Sequence, residues 1–426
     1  MSAFDKVVGY ENIKRELLQV CDMLHNKSVY EEMGARMPRG VLLFGEPGLG
    51  KTLMAKCFIE ESGLPAYTVR RNRGTDDFVS EITASFSKAK ETAPSIVFLD
   101  DMDKFANEDE NHRDAEEYAA VQAGIDDAKD SEVFVFATVN NMRKLPRSLL
   151  RTGRFDRKIE VYSPADEDAF NIIKHYLKNK KVSEKVNLED VAKMISYSSC
   201  AELETIMNEA AINAAYARRH CMEMEDLVDA VLRMEYDAPN SYTKSTEEER
   251  RKVALHEAGH LVVCEVLHPG SVGIASMRAT DEDAMGGFIK RCKDLKRRPY
   301  HALVSLGGKA AVELYYAETC ASGCQSDLTK AIDHIRTSIA VSGACGLGFL
   351  DMETSHSPAM SNDFIARNEA VTQAILERYL FKAREILVKN RGFLESAVEA
   401  LMEKETLLYS DIRTLRESVE IVPVAV

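Results

Sequence analysis

No stretch of this 426-residue chain approaches the ~20 consecutive apolar residues that a membrane-spanning helix needs. The opening MSAFDKVVGY lacks the apolar core of a secretory leader. The nine cysteines (21, 57, 200, 221, 264, 292, 320, 324 and 345) form no CxxC pair and no even framework, which argues against a disulfide scaffold and suits a reducing cytoplasm. Cys320 and Cys324 read as packing thiols. Positive charge is in deficit, with 55 Lys and Arg against 69 Asp and Glu for a net −14, so nucleic acid is not expected as the main ligand. What is present is an ordinary soluble globular composition, 45% hydrophobic and 29% charged. The length exceeds what one core serves and implies two or three domains.

The segment Val253–Cys264, VALHEAGHLVVC, carries the most specific chemistry. His256 and His260 are four residues apart and share one helix face, so two imidazoles can reach one divalent ion at ~2.0–2.1 Å each. Glu257 points beside them and is placed to take a proton from water activated by the ion. Ser245 and Glu248 offer a capping box, and His268-Pro269-Gly270 stops the helix. Val253, His256, His260, Cys264 and Leu267 fall on one side, predicting that the histidines face inward. Two core histidines with a chance glutamate would give the same pattern.

A second constellation lies upstream. The apolar run Val41–Phe44 leads into Gly45-Glu46-Pro47-Gly48-Leu49-Gly50-Lys51-Thr52, a full GxxxxGK[ST] match. The glycines let backbone N–H groups close around phosphate oxygens at a helix N-terminus. Lys51 then neutralises the β/γ charge of ATP, and the Thr52 hydroxyl ligates Mg²⁺. SIVFL (95–99) is a buried strand ending in Asp100 and Asp101, with Asp100 placed to hold the Mg²⁺. VFVFAT (133–138) is a third, ending near Asn140, which can orient the attacking water. The arginines of LLRTGRFDR (149–157) would ordinarily be a solvated basic turn.

GEPGLGKT, FLDD, ATVNN and LLRTGRFDR, in this order, resemble an AAA+ ATPase module. Joined to a downstream HEAGH, the chain resembles the FtsH-type ATP-dependent zinc metalloproteases from about Phe4 to Leu415. The resemblance implies an α/β AAA+ P-loop domain with a parallel sheet and flanking helices (1–164), a helical lid (165–236) and a linker (237–247). A mainly α-helical zinc metalloprotease domain (248–420) and a short tail (421–426) follow. It also implies a homo-hexamer, in which Arg151 and Arg154 act in trans on the neighbouring subunit's γ-phosphate. Val8 and Gly9, before Tyr10, become the N-terminal adenine contacts. The small-residue loop Ser322-Gly323-Cys324-Gln325-Ser326 ends in the third zinc ligand, Asp327, although helix capping alone would explain an aspartate there. Glu313 is a candidate partner for a ligating imidazole, or a plain structural carboxylate. His334 reads as a surface or core histidine.

Three departures stand out. The family usually has Asp-Glu where this chain has Asp100-Asp101, and the shorter carboxylate of Asp101 puts fast hydrolysis in doubt. The substrate-gripping loop is shortened around Asp76–Ile82, leaving Phe78 and Val79 either to grip or to pack. Cys200 stands where the family has a glycine near the adenine, just after Ser199, which with Glu202 forms a second capping box. Downstream, Gly286-Gly287-Phe288-Ile289-Lys290 reads as a turn and strand, either an ordinary hairpin or an edge that aligns peptide. The expected function is an ATP-dependent zinc metalloendopeptidase that threads and degrades proteins. Two other readings stay open: a zinc peptidase using nucleotide mainly for ring assembly, and an ATP-gated remodelling protein with an idle protease.

Overall fold

The computed structural model describes residues 2–71, 77–106, 115–151, 153–164, 166–236, 246–278, 286–295, 298–316, 324–342 and 362–425. The linker up to Ser245 lies outside the described residues. So do Asp76, Thr152, Cys320, Ser322, Gly323 and Cys345. The chain divides into two compact units, Met1–Asn179 with Tyr197–Thr205, and Lys180–Ser196 with Ile206–Val426.

The first unit is a parallel sheet of β1 (Gly40–Phe44), β2 (Ala66–Val69), β3 (Ser95–Leu99), β4 (Val133–Val139) and β5 (Arg157–Glu160), in the order β2-β3-β4-β1-β5. Helices α1 (Glu11–His25), α2 (Lys27–Glu32), α3 (Lys51–Ser62), α4 (Phe78–Glu91), α5 (Ala115–Asp127) and α6 (Asp166–Leu177) accompany it. The continuous apolar runs arise because both sheet faces are covered. On one face Phe134 and Phe136 of β4 meet Phe58 of α3, with ring centroids 5.7 and 4.8 Å apart. Their neighbours Val133, Val135 and Ala137 point the other way, into the cluster of Phe78, Ile82 and Phe86 from α4. Phe78 is therefore a packing residue, buried edge-on to Phe105 at 5.2 Å. Because β3, β4 and β1 are neighbours, the segments that follow them emerge side by side at the carboxyl end of the sheet, where such folds place ligands.

Helix α7 (Leu188–Met194) belongs to the second unit, and α8 (Cys200–Tyr216) has its first residues in the first unit and the remainder in the second. Then come α9 (Met224–Tyr236), α10 (Glu247–Leu267), β6 (Val272–Ser276), β7 (Phe288–Arg291), α11 (Arg298–Tyr316) and α12 (Gln325–Ser342). Helices α13 (Asn362–Lys389) and α14 (Arg391–Lys404), strand β8 (Thr406–Leu408) and α15 (Tyr409–Glu417) complete the unit. The strands form a small antiparallel sheet ordered β7-β6-β8, in which Phe288–Arg291 pairs with β6 on one side and forms the sheet edge, so the hairpin and the peptide-aligning edge both remain open.

Helix α10 is the spine of this unit. Its capping box is Thr246 with Glu249, one residue later than the pattern suggested: Glu249 N–H donates to Thr246 Oγ1 at 3.2 Å, and Thr246 N–H donates to Glu249 Oε2 at 2.7 Å. From Ala254 to Glu265 the helix is buried on nearly every side, His256 alone being half-buried, so a single inward stripe understated it. The stop after Leu267 is reinforced by the buried Glu265 carboxylate, which accepts from the N–H groups of Gly270, Ser271 and Val272 at 2.7–2.9 Å.

The crossing of α10 and α11 is set by glycine. A Cβ on Gly259 would lie 2.4 Å from the Gly307 carbonyl oxygen, and one on Gly307 would lie 2.6 Å from that of Gly259. Backbone cannot retreat as a side chain does. Gly259→Leu is expected to destabilise the chain by about 1–3 kcal/mol or more, through overpacking. Gly392→Ala in α14, where nothing lies within 4 Å of an added Cβ, should stabilise it by up to ~1 kcal/mol through lower unfolded-chain entropy. Urea unfolding of both variants checks the ordering, and a neutral Gly259→Leu would contradict the packing account.

Candidate functional site

The carboxyl end of the parallel sheet is tied together by hydrogen bonds among the ends of its strands and the segments that follow them. Gly48 and Gly50 adopt positive φ (80° and 85°), which lets the loop curl before α3 begins at Lys51. Gly45 has no room for a side chain, since a Cβ would fall 1.9 Å from the Val161 carbonyl oxygen. Lys51 is buried and donates to the Gly45 and Glu46 carbonyls at 2.7 and 2.6 Å. Burial lowers its pKa, while Asp101, Asp103 and Asp100 pull the other way. Thr52 Oγ1 and Thr138 Oγ1 both donate to Asp100 Oδ1, at 2.9 and 2.8 Å. Lys51 and Thr52 border a cavity of about 520 Å³, whereas Asp100 and Thr138 support it from behind its wall. Among its walls are Val8, Pro47, Gly48, Leu49, Gly50, Lys51, Thr52, Asp101 and Asn140, with Tyr10, Tyr176 and Cys200. Gly9 (φ 74°) is pressed against Asp168, whose Oδ1 accepts from Tyr10 N–H at 3.0 Å. Cys200 Sγ lies 3.4 Å from the Tyr10 hydroxyl, and the expected box at Ser199 and Glu202 is formed.

Asp101 is a left-handed residue (φ 52°), a conformation non-glycine residues seldom adopt. Its Oδ1 accepts from Asn140 Nδ2 at 3.1 Å and its Oδ2 from Lys104 Nζ at 2.7 Å. The two arginines differ sharply. Arg151 is exposed. Arg154 is only 13% exposed and grips Asp126 with two hydrogen bonds, Nε to Oδ1 at 3.0 Å and Nη2 to Oδ2 at 2.6 Å. Those bonds lower the Asp126 carboxyl to about 2. The residues the motifs did not flag here are Thr138, Lys104 and Asp126, ordinary types whose role appears only when the strand ends are placed together.

In the second unit three side chains converge. His256 Nε2 lies 3.0 Å from His260 Nε2, and each lies 3.1 Å from Asp327 Oδ2. A tetrahedral ion with bonds of ~2.0–2.1 Å needs ligand atoms about 3.3 Å apart, so a few tenths of an ångström of expansion admits one. The chemistry fits as well. His260 Nδ1 lies 2.6 Å from the Val304 carbonyl, so that nitrogen carries the proton. The Gly308 N–H also approaches it, at 3.3 Å, but a carbonyl at the shorter distance requires a donor. Neutral His260 then aims its Nε2 lone pair at a carboxylate and at a second imidazole, an arrangement of acceptors that needs a cation between them. Without a metal a proton takes that part: burial opposes charge on His260, but the hydrogen bond and charge of Asp327, the charge of Glu257 and the Val304 carbonyl together outweigh it and raise the pKa. Burial likewise pushes Asp327 up, and the hydrogen bonds with His256 and His260 hold it well below the usual carboxylate range.

Glu257 is 3% exposed, and its Oε1 accepts the Gly287 N–H at 3.2 Å. Burial raises its pKa against the pull of both histidines. A Cβ on Gly287 would sit 2.7 Å from Glu257 Cγ, and one on Gly308 would sit 2.5 Å from His256 Cε1 and from His260 Nε2. Glu313 pairs with Lys309 at 2.7 Å and with Arg384, and the imidazole is oriented by Val304. His334 stacks obliquely on His301, ring centroids 5.0 Å apart. Cys324 is buried, as a packing thiol should be. The paired glycines Gly307 and Gly308, inside a helical pattern, are a sequence signal for a close approach at this site, as is Gly259 within HEAGH.

Comparison with known proteins matches residues 41–163 to the ATPase family associated with various cellular activities (AAA). Residues 290–415 match peptidase family M41, a span that holds Asp327 but begins after the two histidines. Among curated relatives, the ATP-dependent zinc metalloprotease FtsH of Mycoplasma pneumoniae is 31% identical over 99% of this chain and 63% of its own length. That of Leptotrichia buccalis is 32% identical over 97% of this chain and 56% of its own. The chain thus spans less than two thirds of the length of these relatives. ATP-dependent zinc metalloprotease FtsH 2 of Symbiobacterium thermophilum is 30% identical over 97% of this chain and 74% of the relative. With an AAA module and an M41 module in this order and likeness sustained along nearly all its length, the chain belongs to the FtsH family.

Proposed function

We propose that the chain is an ATP-dependent zinc metalloendopeptidase acting on protein or peptide substrates within a homo-hexameric ring. The observation that carries the reading is the convergence of His256, His260 and Asp327 beside a buried Glu257. These three residues would hold the ion. Bound there, zinc supplies a Lewis acid that polarises the scissile carbonyl and lowers the pKa of water. Val304 keeps His260 in the ligating tautomer. Glu257, raised by burial and steadied on one oxygen by Gly287, takes the proton from the attacking water and returns it to the leaving amine.

At the other site Lys51 would meet the β- and γ-phosphates of ATP, with Thr52 and Asp100 holding Mg²⁺. Val8 and Gly9 would flank the base, and Gly45–Gly50 would wrap the phosphates. Asn140 would orient water with Asp101. Arg151, exposed, is the arginine ready to act on a neighbouring subunit. Arg154 must first release Asp126. A second reading, a zinc peptidase using nucleotide mainly for ring assembly, draws support from Asp101, both of whose oxygens are already engaged.

Casein cleavage measured with ATP, with a non-hydrolysable analogue and without nucleotide separates these readings. The first expects cleavage with ATP well above that with the analogue, whereas equal rates favour the second. No cleavage with zinc present would leave only a remodelling protein. Glu257→Gln should retain stoichiometric zinc by metal analysis while losing ~10²–10⁴-fold in cleavage rate, the range of a general base. Retained cleavage would remove Glu257 as the base. Treatment with 1,10-phenanthroline should abolish cleavage reversibly on zinc addition and leave ATP turnover intact. Loss of both activities together would contradict two separate sites.

A further inference from the structure

Lys104 has no part in the function proposed above, yet it lines the nucleotide cavity with Lys51, Thr52, Asp101 and Asn140. Its backbone is fixed. The Lys104 N–H donates to the Asp101 carbonyl at 2.9 Å, and its own carbonyl accepts from Arg71 Nη1 at 3.1 Å. Its side chain is 57% exposed and tethered at its tip, with Nζ 2.7 Å from Asp101 Oδ2. Asp101 directly follows Asp100, whose carboxylate accepts from the hydroxyl of Thr52 at 2.9 Å, and Thr52 is the neighbour of Lys51 on the cavity wall. Asp101 and the ammonium paired with it therefore lie toward the end of the cavity that Lys51 serves, where the terminal phosphates of a nucleotide go.

We propose that Lys104 is a cation for the terminal phosphate of ATP, paired with Asp101 in the nucleotide-free chain and transferred to the γ-phosphate when ATP binds. The proposal rests on the nucleotide reading above. An exposed lysine–aspartate pair is held weakly. A terminal phosphate offers more negative charge and more acceptor oxygens than one carboxylate, so the ammonium gains by the exchange. Its departure frees Asp101 Oδ2 while Asn140 still holds Oδ1, leaving one carboxylate oxygen open to a hydrogen bond from water. ADP has no γ-phosphate and leaves Lys104 on Asp101. The water-facing acid is thus made available only when there is a phosphate to attack, and by a residue of the same subunit. This differs from Arg151, which would serve a neighbour.

The test is equilibrium binding of ATPγS and of ADP, each with Mg²⁺, to the full chain and to its Lys104→Ala and Lys104→Arg variants. In Lys104→Ala, affinity for ATPγS should fall about tenfold, the scale of a lost charge-assisted hydrogen bond, while ADP affinity changes by less than about twofold. Lys104→Arg should recover most of the loss, and the ATP turnover number of Lys104→Ala should fall with its melting temperature unchanged. Equal affinities in parent and variant, or equal losses for both nucleotides, would overturn the proposal. So would faster turnover in Lys104→Ala, which would mean that Lys104 only ties Asp101 down. Failure of the parent chain to bind either nucleotide would overturn the nucleotide reading itself and this proposal with it.

Discussion

The proposed metal centre depends on how closely two helices approach. Where α10 crosses α11, Gly259 and Gly307 present bare backbone to each other, and neither site has space for one more carbon. That approach brings the Val304 carbonyl onto His260 Nδ1 and lays Gly308 flat against both imidazoles. A wider crossing would lose the contact that selects the His260 tautomer, and with it the direction of the lone pair. The same helix continues to Glu265, whose carboxylate holds the turn into β6, and β6 in turn registers β7 and Gly287 against Glu257. One packing constraint thus sets the proposed ligands, the His260 tautomer and the proposed base together.

The nucleotide unit solves a different problem. Its acids must sit near one another and near Lys51, and the structure stabilises them with hydroxyls, amides and neighbouring cations. Asp100 takes two threonine hydroxyls, Asp101 takes Asn140 and Lys104, and Asp103 takes the backbone N–H groups of Asn140 and Asn141. Apart from the local Lys104–Asp101 pair, each bond joins the segment after β3 to β4, to the segment after β4 or to the helix after β1, so the parallel order β3-β4-β1 creates the site. The arrangement is dense enough that reactive groups rest on partners, and nucleotide must compete for them.

Much of this was legible from the residues. Continuous apolar runs located the central strands, because a strand covered on both faces has no polar side to reveal. GEPGLGKT and HEAGH carried their own geometry, since their spacings are those of a loop before a helix and of one helical turn. The separation of His260 from Asp327 follows no local period, and the family resemblance alone pointed to the third residue. Side-chain fates set by tertiary packing were not legible. Phe78 could have projected or packed, and the aromatic partner that decided it, Phe105, lies beyond β3. Arg154, in the turn before β5, looked like its neighbour Arg151 until Asp126 of α5 was placed beside it. Helix α10 showed one apolar stripe but is covered nearly all round, because its small residues Ala254, Ala258 and Gly259 admit neighbours without registering as a hydrophobic face.

The central claim is that two imidazoles from α10 and one carboxylate from α12 share a single ion. X-ray absorption at the zinc edge on the purified chain, with the His260→Ala variant beside it, tests this most directly. The account predicts one zinc per chain with a nitrogen- and oxygen-only shell containing two imidazoles, reduced to one or lost in the variant. A shell containing sulfur, or a spectrum unchanged by the substitution, would contradict it.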